Sequence, residues 1–284
     1  MTRYLITGAH GSLGHDLQAA LAAAPGTRSV TALGRAELDI TDPAACRAAV
    51  ADHDVVLNAA AYTAVDAAED DEEAAHLVNA IGAENLAAAS RTAGAVLVQY
   101  STDYVFGGRQ AEPYTEDTPH SPVSAYGRTK AEGERRARAA HPEGTIVLRT
   151  AWLYGEHGPS FVRTMMRLYR ERGTLAVVDD QQTWTRDLAD QTIRMLDSGL
   201  RSATLHGTNS GATSWHGFAQ AIVENLGGDP ADVTPVTSAD YPRRAPRPAN
   251  SVLSHDGWQQ HGLTPMRAWR PALDSAMTTA GWMT

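Results

Sequence analysis

Along the first half of the chain, short apolar runs alternate with longer stretches in which apolar residues recur every three or four positions. Tyr4 to Thr7, Ser29 to Leu33, Asp54 to Asn58, Ala95 to Tyr100 and Thr145 to Arg149 have the length and continuous hydrophobicity of strands. Between them, Leu13, Leu17 and Leu21, then Leu77, Ile81 and Leu86, keep helical spacing in alanine-rich sequence. Regular alternation of this kind predicts a parallel, doubly wound sheet, and the near-continuous apolar strands predict burial on both faces. Beyond about Trp152 the pattern loosens. Gly155, Gly158, Pro159 and Gly173 interrupt it, and Pro235, Pro242, Pro246, Pro248, Pro265 and Pro271 mark loop-rich chain. Helices are predicted from Phe161 to Arg172, Leu188 to Leu196 and Trp215 to Leu226, with one further strand from Thr204 to Thr208. No internal repeat interrupts this order. The expectation is an α/β protein with a Rossmann-type sheet over residues 1–153 and a smaller C-terminal lobe over 154–284, of which 184–210 packs back onto the first part.

Composition narrows the classes of partner. A chain of 284 residues, 43% hydrophobic and 20% charged, can bury a full core. Its net charge of −9 argues against a broad nucleic-acid or anionic-membrane surface and points to small-molecule partners. Cys46 is the only cysteine, which excludes an internal disulfide and a multi-cysteine zinc site. The eleven histidines form no ligand-like pattern, so no metal is expected. The start leads directly into a strand and no apolar run reaches the ~18 residues of a membrane span, so a cytoplasmic location is expected. Glu69 to Glu73 reads as a solvated helix start.

Two short stretches carry chemistry. Gly8, Gly11 and Gly14 follow the first strand and open the first helix, where a backbone free of Cβ atoms lets a phosphate approach the helix N-terminus. Leu13 belongs to this turn, and His10 and Ser12 either line the phosphate site or are exposed loop residues. A dinucleotide site selective for NADH places an acid about 20 residues onward. This chain has Gly34-Arg35 there, and the arginine favours a 2′-phosphate, hence NADPH, with NADH left open. Asp39 and Ile40 flank adenine, or Asp39 caps the following turn. Ala59, Ala60 and Ala61 end the third strand with side chains small enough for a dinucleotide to lie against. In the second stretch, Tyr126 and Lys130 stand four residues apart on one helix face and both reach a bound cofactor. The ammonium is expected to lower the phenol's pKa and to bond the nicotinamide ribose. Thr102, at a strand end, is placed to polarise a carbonyl oxygen.

The glycine turn with Tyr126-Gly127-Arg128-Thr129-Lys130 resembles the extended short-chain dehydrogenase/reductase superfamily. Residues 58–66, 101–106, 148–155 and 247–251 are similar to the dTDP-4-dehydrorhamnose reductase family, across nearly the whole chain. The resemblance implies a catalytic set of Thr102, Tyr126 and Lys130, with Val65, Asp103 and Trp152 by the sugar and Arg247 at the nucleotide diphosphate. It implies NADPH-dependent reduction of the C4 ketone of a nucleotide-linked 4-keto-6-deoxyhexose, in a family whose members often form a homodimer. Asp103-Tyr104 replaces the Asp-Glu pair of dehydratases in the superfamily, which favours reduction over elimination. The segment after Asp180-Gln181 is about three residues shorter than in relatives, so the sugar is open. Two alternatives stand beside this reading. One is a C4-epimerase holding NAD tightly, and the other is a non-catalytic subunit resembling the regulatory β subunit of methionine adenosyltransferase.

Overall fold

The structure is a computed structural model that describes residues 1–177, 183–236 and 243–282. Its elements in chain order are β1 (Thr2–Thr7), α1 (Ser12–Ala23), β2 (Arg28–Leu33), α2 (Pro43–Val50), β3 (Val55–Asn58), α3 (Val65–Ala68), α4 (Glu72–His76), α5 (Gly82–Ala93), β4 (Val96–Thr102), α6 (Ala125–Ala140) and β5 (Thr145–Thr150). There follow β6 (Leu153–Tyr154), α7 (Phe161–Arg172), β7 (Leu175–Val177), β8 (Thr183–Trp184), α8 (Thr185–Asp197), β9 (Ala203–His206), α9 (Trp215–Asn225), β10 (Val233–Pro235), α10 (Asp256–Gln260) and α11 (Trp269–Thr279).

Six strands form one parallel sheet in the order β2-β1-β3-β4-β5-β9. From β1 the chain steps to β2, then crosses back over β1 to β3 and continues outward. The strand order therefore reverses between β1 and β3, where open α/β sheets place ligands at the carboxyl ends of their strands. Leu13, Leu17 and Leu21 of α1 pack with Leu188 and Ile193 of α8 on one face of the sheet. Cys46, Val50, Leu86 and Ala137, from α2, α5 and α6, cover the other. Burial pushes the Cys46 thiol up to about 12, so it packs as a small apolar group.

Two expectations change on contact with the structure. Burial is complete along β3, β4 and β5, but β2 is half-exposed, because as the edge strand it has one neighbour and an incompletely covered face. Leu77, Ile81 and Leu86 do not form one stripe. Leu77–Ile81 is a π-helical turn, and its wider winding turns Leu77 out to 45% exposure beside the cleft while Leu86 stays buried.

A separate core joins Tyr154, Val162, Trp184, Phe218, Leu273 and Met277. Asp180 and Gln181, after which a shortened loop was expected, lie outside the described residues. Among the described residues, no helix is long and apolar enough to cross a membrane.

Candidate active site

A cleft of about 1970 Å³ runs along the carboxyl ends of β1, β3 and β4 and continues to α7 and α9. Every residue singled out for a site borders it: the glycine turn, Arg35, Asp39 and Ile40, Ala59 to Ala61, Val65, Thr102, Asp103, Tyr126, Lys130, Trp152 and Arg247.

At the glycine turn the backbone is packed against itself. A Cβ on Gly14 would stand 2.5 Å from the Gly8 carbonyl, and one on Gly8, whose φ is +66°, would stand 2.6 Å from the Ala60 nitrogen. Only glycine fits at either place. Gly11 caps α1 without a side-chain acceptor, and the Ser12 hydroxyl is buried without a partner. The helix therefore presents unsatisfied donors to the cleft, as an anion site does. Across the strand ends, Thr7 Oγ1 donates to Asn58 Oδ1 at 2.6 Å and Asn58 Nδ2 donates to Gln99 Oε1 at 2.7 Å, tying β1, β3 and β4 together.

Beyond β2, Gly34 is buried and Arg35 exposed, with no ion pair to Arg35 among the described residues. Glu37, the acid nearest this strand end, spends its carboxylate on the Gly34 amide at 2.8 Å. Asp39 is tied to the following turn instead of standing free: its Oδ1 accepts the amide and hydroxyl of Thr41 at 2.9 and 2.8 Å. The Thr41 contacts hold its carboxyl below the usual aspartate range. Ile40 is buried against Gly82.

The second half of the site lies where β4 meets α6. Ser124 caps α6 by accepting the Gly127 amide at 3.1 Å, and Glu69 accepts the Ala125 amide at 2.7 Å. These bonds fix the first turn, which carries Tyr126. Thr102 Oγ1 donates to Asp103 Oδ1 at 2.8 Å and accepts the Tyr104 amide at 3.2 Å. Burial pushes the Asp103 carboxyl up to about 6, with Thr102 and Ser251 drawing it back. Its second oxygen and the Ser251 hydroxyl are both buried without a full hydrogen bond.

Lys130 is buried and donates from Nζ to the Tyr100 carbonyl at 2.6 Å. Burial draws its ammonium down to about 8 against the opposing charge of Glu134. This placement corrects one expectation. The phenol of Tyr126 is not lowered: burial raises it above its ordinary value, the Asp103 carboxylate adds to the rise, and only Thr102 opposes it. With the ammonium turned onto Tyr100, Asp103 is the charge that the phenol meets.

Aromatic rings close the far wall. Tyr104 meets Tyr126 edge-on at 5.6 Å and Trp152 at 5.9 Å, and Trp152 packs against Trp215 at 4.3 Å. Trp152 is the one non-glycine residue of positive φ (47°) among the described residues, and its indole N–H is buried without a partner. Arg247 borders the cleft with its guanidinium already paired. Its guanidinium makes two bonds to Asp66, at 3.0 and 2.9 Å, and Arg243 is the exposed cation of this loop that borders the cleft. Phe161 and Trp215 were not singled out as site residues, because folding of the C-terminal lobe alone brings them to the cleft, and Ser251, although within the 247–251 match, meets Asp103 only in the folded chain.

The comparisons with known proteins agree over the full length. A family model described as RmlD substrate binding domain matches residues 2–281. A probable dTDP-4,6-dihydroxy-2-methyloxan-3-one 4-ketoreductase of Streptomyces antibioticus is 50% identical, over 96% of this chain and 94% of its own. A dTDP-4-dehydrorhamnose reductase of Streptomyces griseus is 48% identical, over 95% and 91%. Among solved structures, dTDP-4-dehydrorhamnose reductase of Bacillus anthracis in complex with NADP superposes with a TM-score of 0.92 at 35% identity, covering 98% of this chain and all of that one.

Proposed function

The chain belongs to the RmlD substrate binding domain family, that of the dTDP-4-dehydrorhamnose reductases within the extended short-chain dehydrogenases/reductases, and from that premise we propose that it reduces the C4 ketone of a nucleotide-linked 4-keto-6-deoxyhexose with NADPH. The observation that carries this reading is the convergence of Thr102, Tyr126 and Lys130 on one cleft with the Gly8 to Gly14 turn. Composition adds a second argument. Lys130 is the only lysine in the chain, and every other fixed cationic side chain is arginine. A compact ammonium with a movable pKa stands only where the reaction needs one.

The residues fit the cofactor. The Cβ-free turn, the unpartnered Ser12 hydroxyl and the uncapped start of α1 suit a pyrophosphate, and Arg35, with Glu37 withdrawn onto Gly34, suits a 2′-phosphate. Bound NADPH supplies the hydride. The protein supplies the proton and holds the charge. The Tyr126 phenol keeps its proton at neutral pH and gives it up only to a stronger base, the alkoxide oxygen that develops as the ketone is reduced. The Lys130 ammonium, one helical turn from Tyr126, then swings from the Tyr100 carbonyl towards the phenolate left behind. The Thr102 hydroxyl turns from Asp103 to the same oxygen, and the free oxygen of Asp103 accepts a sugar hydroxyl. Tyr104, packed edge-on to Tyr126, offers an aromatic ring where an elimination would need a second acid or base. A cytoplasmic location accords with these partners.

The test follows NADPH oxidation with dTDP-4-keto-6-deoxyglucose, with and without a 3,5-epimerase. Turnover that falls about 10²- to 10⁴-fold in Tyr126→Phe supports the proposal. Sugar interconversion without net NADPH consumption would replace it with a C4-epimerase, and absence of any turnover beside a stoichiometric enzyme partner with a regulatory subunit.

A further inference from the structure

Behind the reactive end of α6 lies a buried charge cluster that the reaction itself does not use. Glu134, one turn after Lys130, is 2% exposed. Its Oε1 accepts the Ser101 hydroxyl at 2.5 Å. Arg149 of β5, itself buried, grips both of its oxygens from Nε at 3.0 Å and Nη2 at 2.9 Å. His120 Nε2 lies 3.1 Å from Oε2, and Arg149 Nη1 donates to the Glu116 carbonyl at 3.0 Å. Arg149 also lies over the Phe106 ring at 5.1 Å.

Two features make this more than an internal salt bridge. Lys130 and Glu134 share a helix face, and from it they bind consecutive residues of β4: Lys130 the carbonyl of Tyr100, Glu134 the hydroxyl of Ser101. The next residue is Thr102. The pair therefore fixes how α6 sits against the strand end that carries the third member of the site. Second, Glu134 is the buried anion nearest Lys130 along α6. On the cleft side Tyr126 stands one turn before Lys130 on α6, and behind Glu134 stand the cations Arg149 and Arg138, with His120. Although burial alone would raise the Glu134 carboxyl, the His120 and Arg149 contacts hold it well below the usual range, so it stays charged.

We propose that Glu134, clamped by Arg149 and Ser101, is a positioning residue that docks α6 on the Thr102 end of β4 and supplies the fixed counter-charge of Lys130. The inference deepens the reductase reading and rests on it for its kinetic consequence. Its direct test does not. Because Lys130 is the only lysine, protein grown on lysine labelled with ¹³C at Cε gives a single side-chain resonance, whose pH titration reads the ammonium without cofactor or substrate.

In the wild type that resonance should titrate at about 8. Glu134→Gln removes the anion and leaves Arg149 uncompensated, so the midpoint should fall by about one pH unit or more. The alkaline limb of kcat for NADPH-dependent ketone reduction should move with it. Glu134→Asp, which keeps the charge one methylene further from Ser101, should move it in the same direction by less and serves if the glutamine variant does not fold. Ser101→Ala should lower kcat several-fold while leaving the midpoint within a few tenths. A folded Glu134→Gln or Glu134→Asp protein whose lysine titrates as in the wild type would overturn the proposal. A shifted lysine in a protein that reduces no keto sugar would leave it standing and remove the reductase reading alone.

Discussion

Arg35 and Asp103 show how single side chains in one cleft are set by opposite environments. Arg35 is exposed at the end of β2, where a guanidinium fork matches phosphate oxygens. Arg35→Ala should raise the KM for NADPH about tenfold or more and leave that for NADH nearly unchanged, measured by initial rates with each cofactor. Asp103 is buried and holds its proton up to about pH 6, whereas an unfolded chain releases it near 3.8. Folding therefore takes up a proton between those values. The burial penalty is absent below both and complete above about pH 6. Asp103→Asn should accordingly raise the Tm at about pH 8, by an amount equivalent to roughly 1 kcal/mol or more, with little gain at about pH 4. The same variant should lower activity by removing an acceptor from the site. Of these residues, Tyr126 and Lys130 were legible in the sequence because a four-residue spacing on a helix is a local fact. Glu134 stands a further four residues on and could have been found by extending that spacing. Arg149, which gives it meaning, is brought there only by the sheet.

The elements around the site depend on how closely backbones approach. At Gly14 an added methyl meets backbone atoms of Gly8 and Ala9 at 2.5 to 2.7 Å, and neither can yield without opening the turn. At Gly11 the same methyl meets one carbonyl at 3.3 Å. Gly14→Ala should therefore cost about 1–3 kcal/mol and abolish NADPH binding, whereas Gly11→Ala should keep the fold and weaken binding. Thermal melts and cofactor fluorescence titrations separate the two. The strands and the helix faces were readable because continuous apolar runs and a 3.6-residue period are written residue by residue, whereas the order of the strands in the sheet emerges only in the fold. The π-helical turn at Leu77–Ile81 was not readable either, since its one-residue widening mimics an ordinary helical stripe. It matters to the site: inside the turn, Asn79 bonds the Tyr62 amide at 2.9 Å and the Thr129 hydroxyl at 3.1 Å, joining the loop after β3 to α6.

At the scale of the whole molecule, the two sides of the cleft are held by charges far apart in sequence. Asp66 receives both arms of Arg247 and the Ala245 amide, and Arg244 pairs with Asp70. The acidic stretch after α3 is thus more than a solvated helix start: part of it anchors the basic loop across the cleft. Asp66→Ala should release that loop, raising the KM for the nucleotide sugar several-fold with little change in KM for NADPH. Pairings of this kind have no signature in a single sequence. The last strand of the sheet is of the same long-range kind. β9 joins β5 only after the chain has run through β6, α7, β7, β8 and α8. More than fifty residues separate Thr150 from the end of β9, and a ribosome adds about 5–20 residues per second. For roughly 3 to 10 seconds of synthesis, the nascent sheet carries β5 as an open edge. An unpaired apolar edge is a template for other chains, so the newborn protein has a brief period of vulnerability that ends only when β9 closes the sheet.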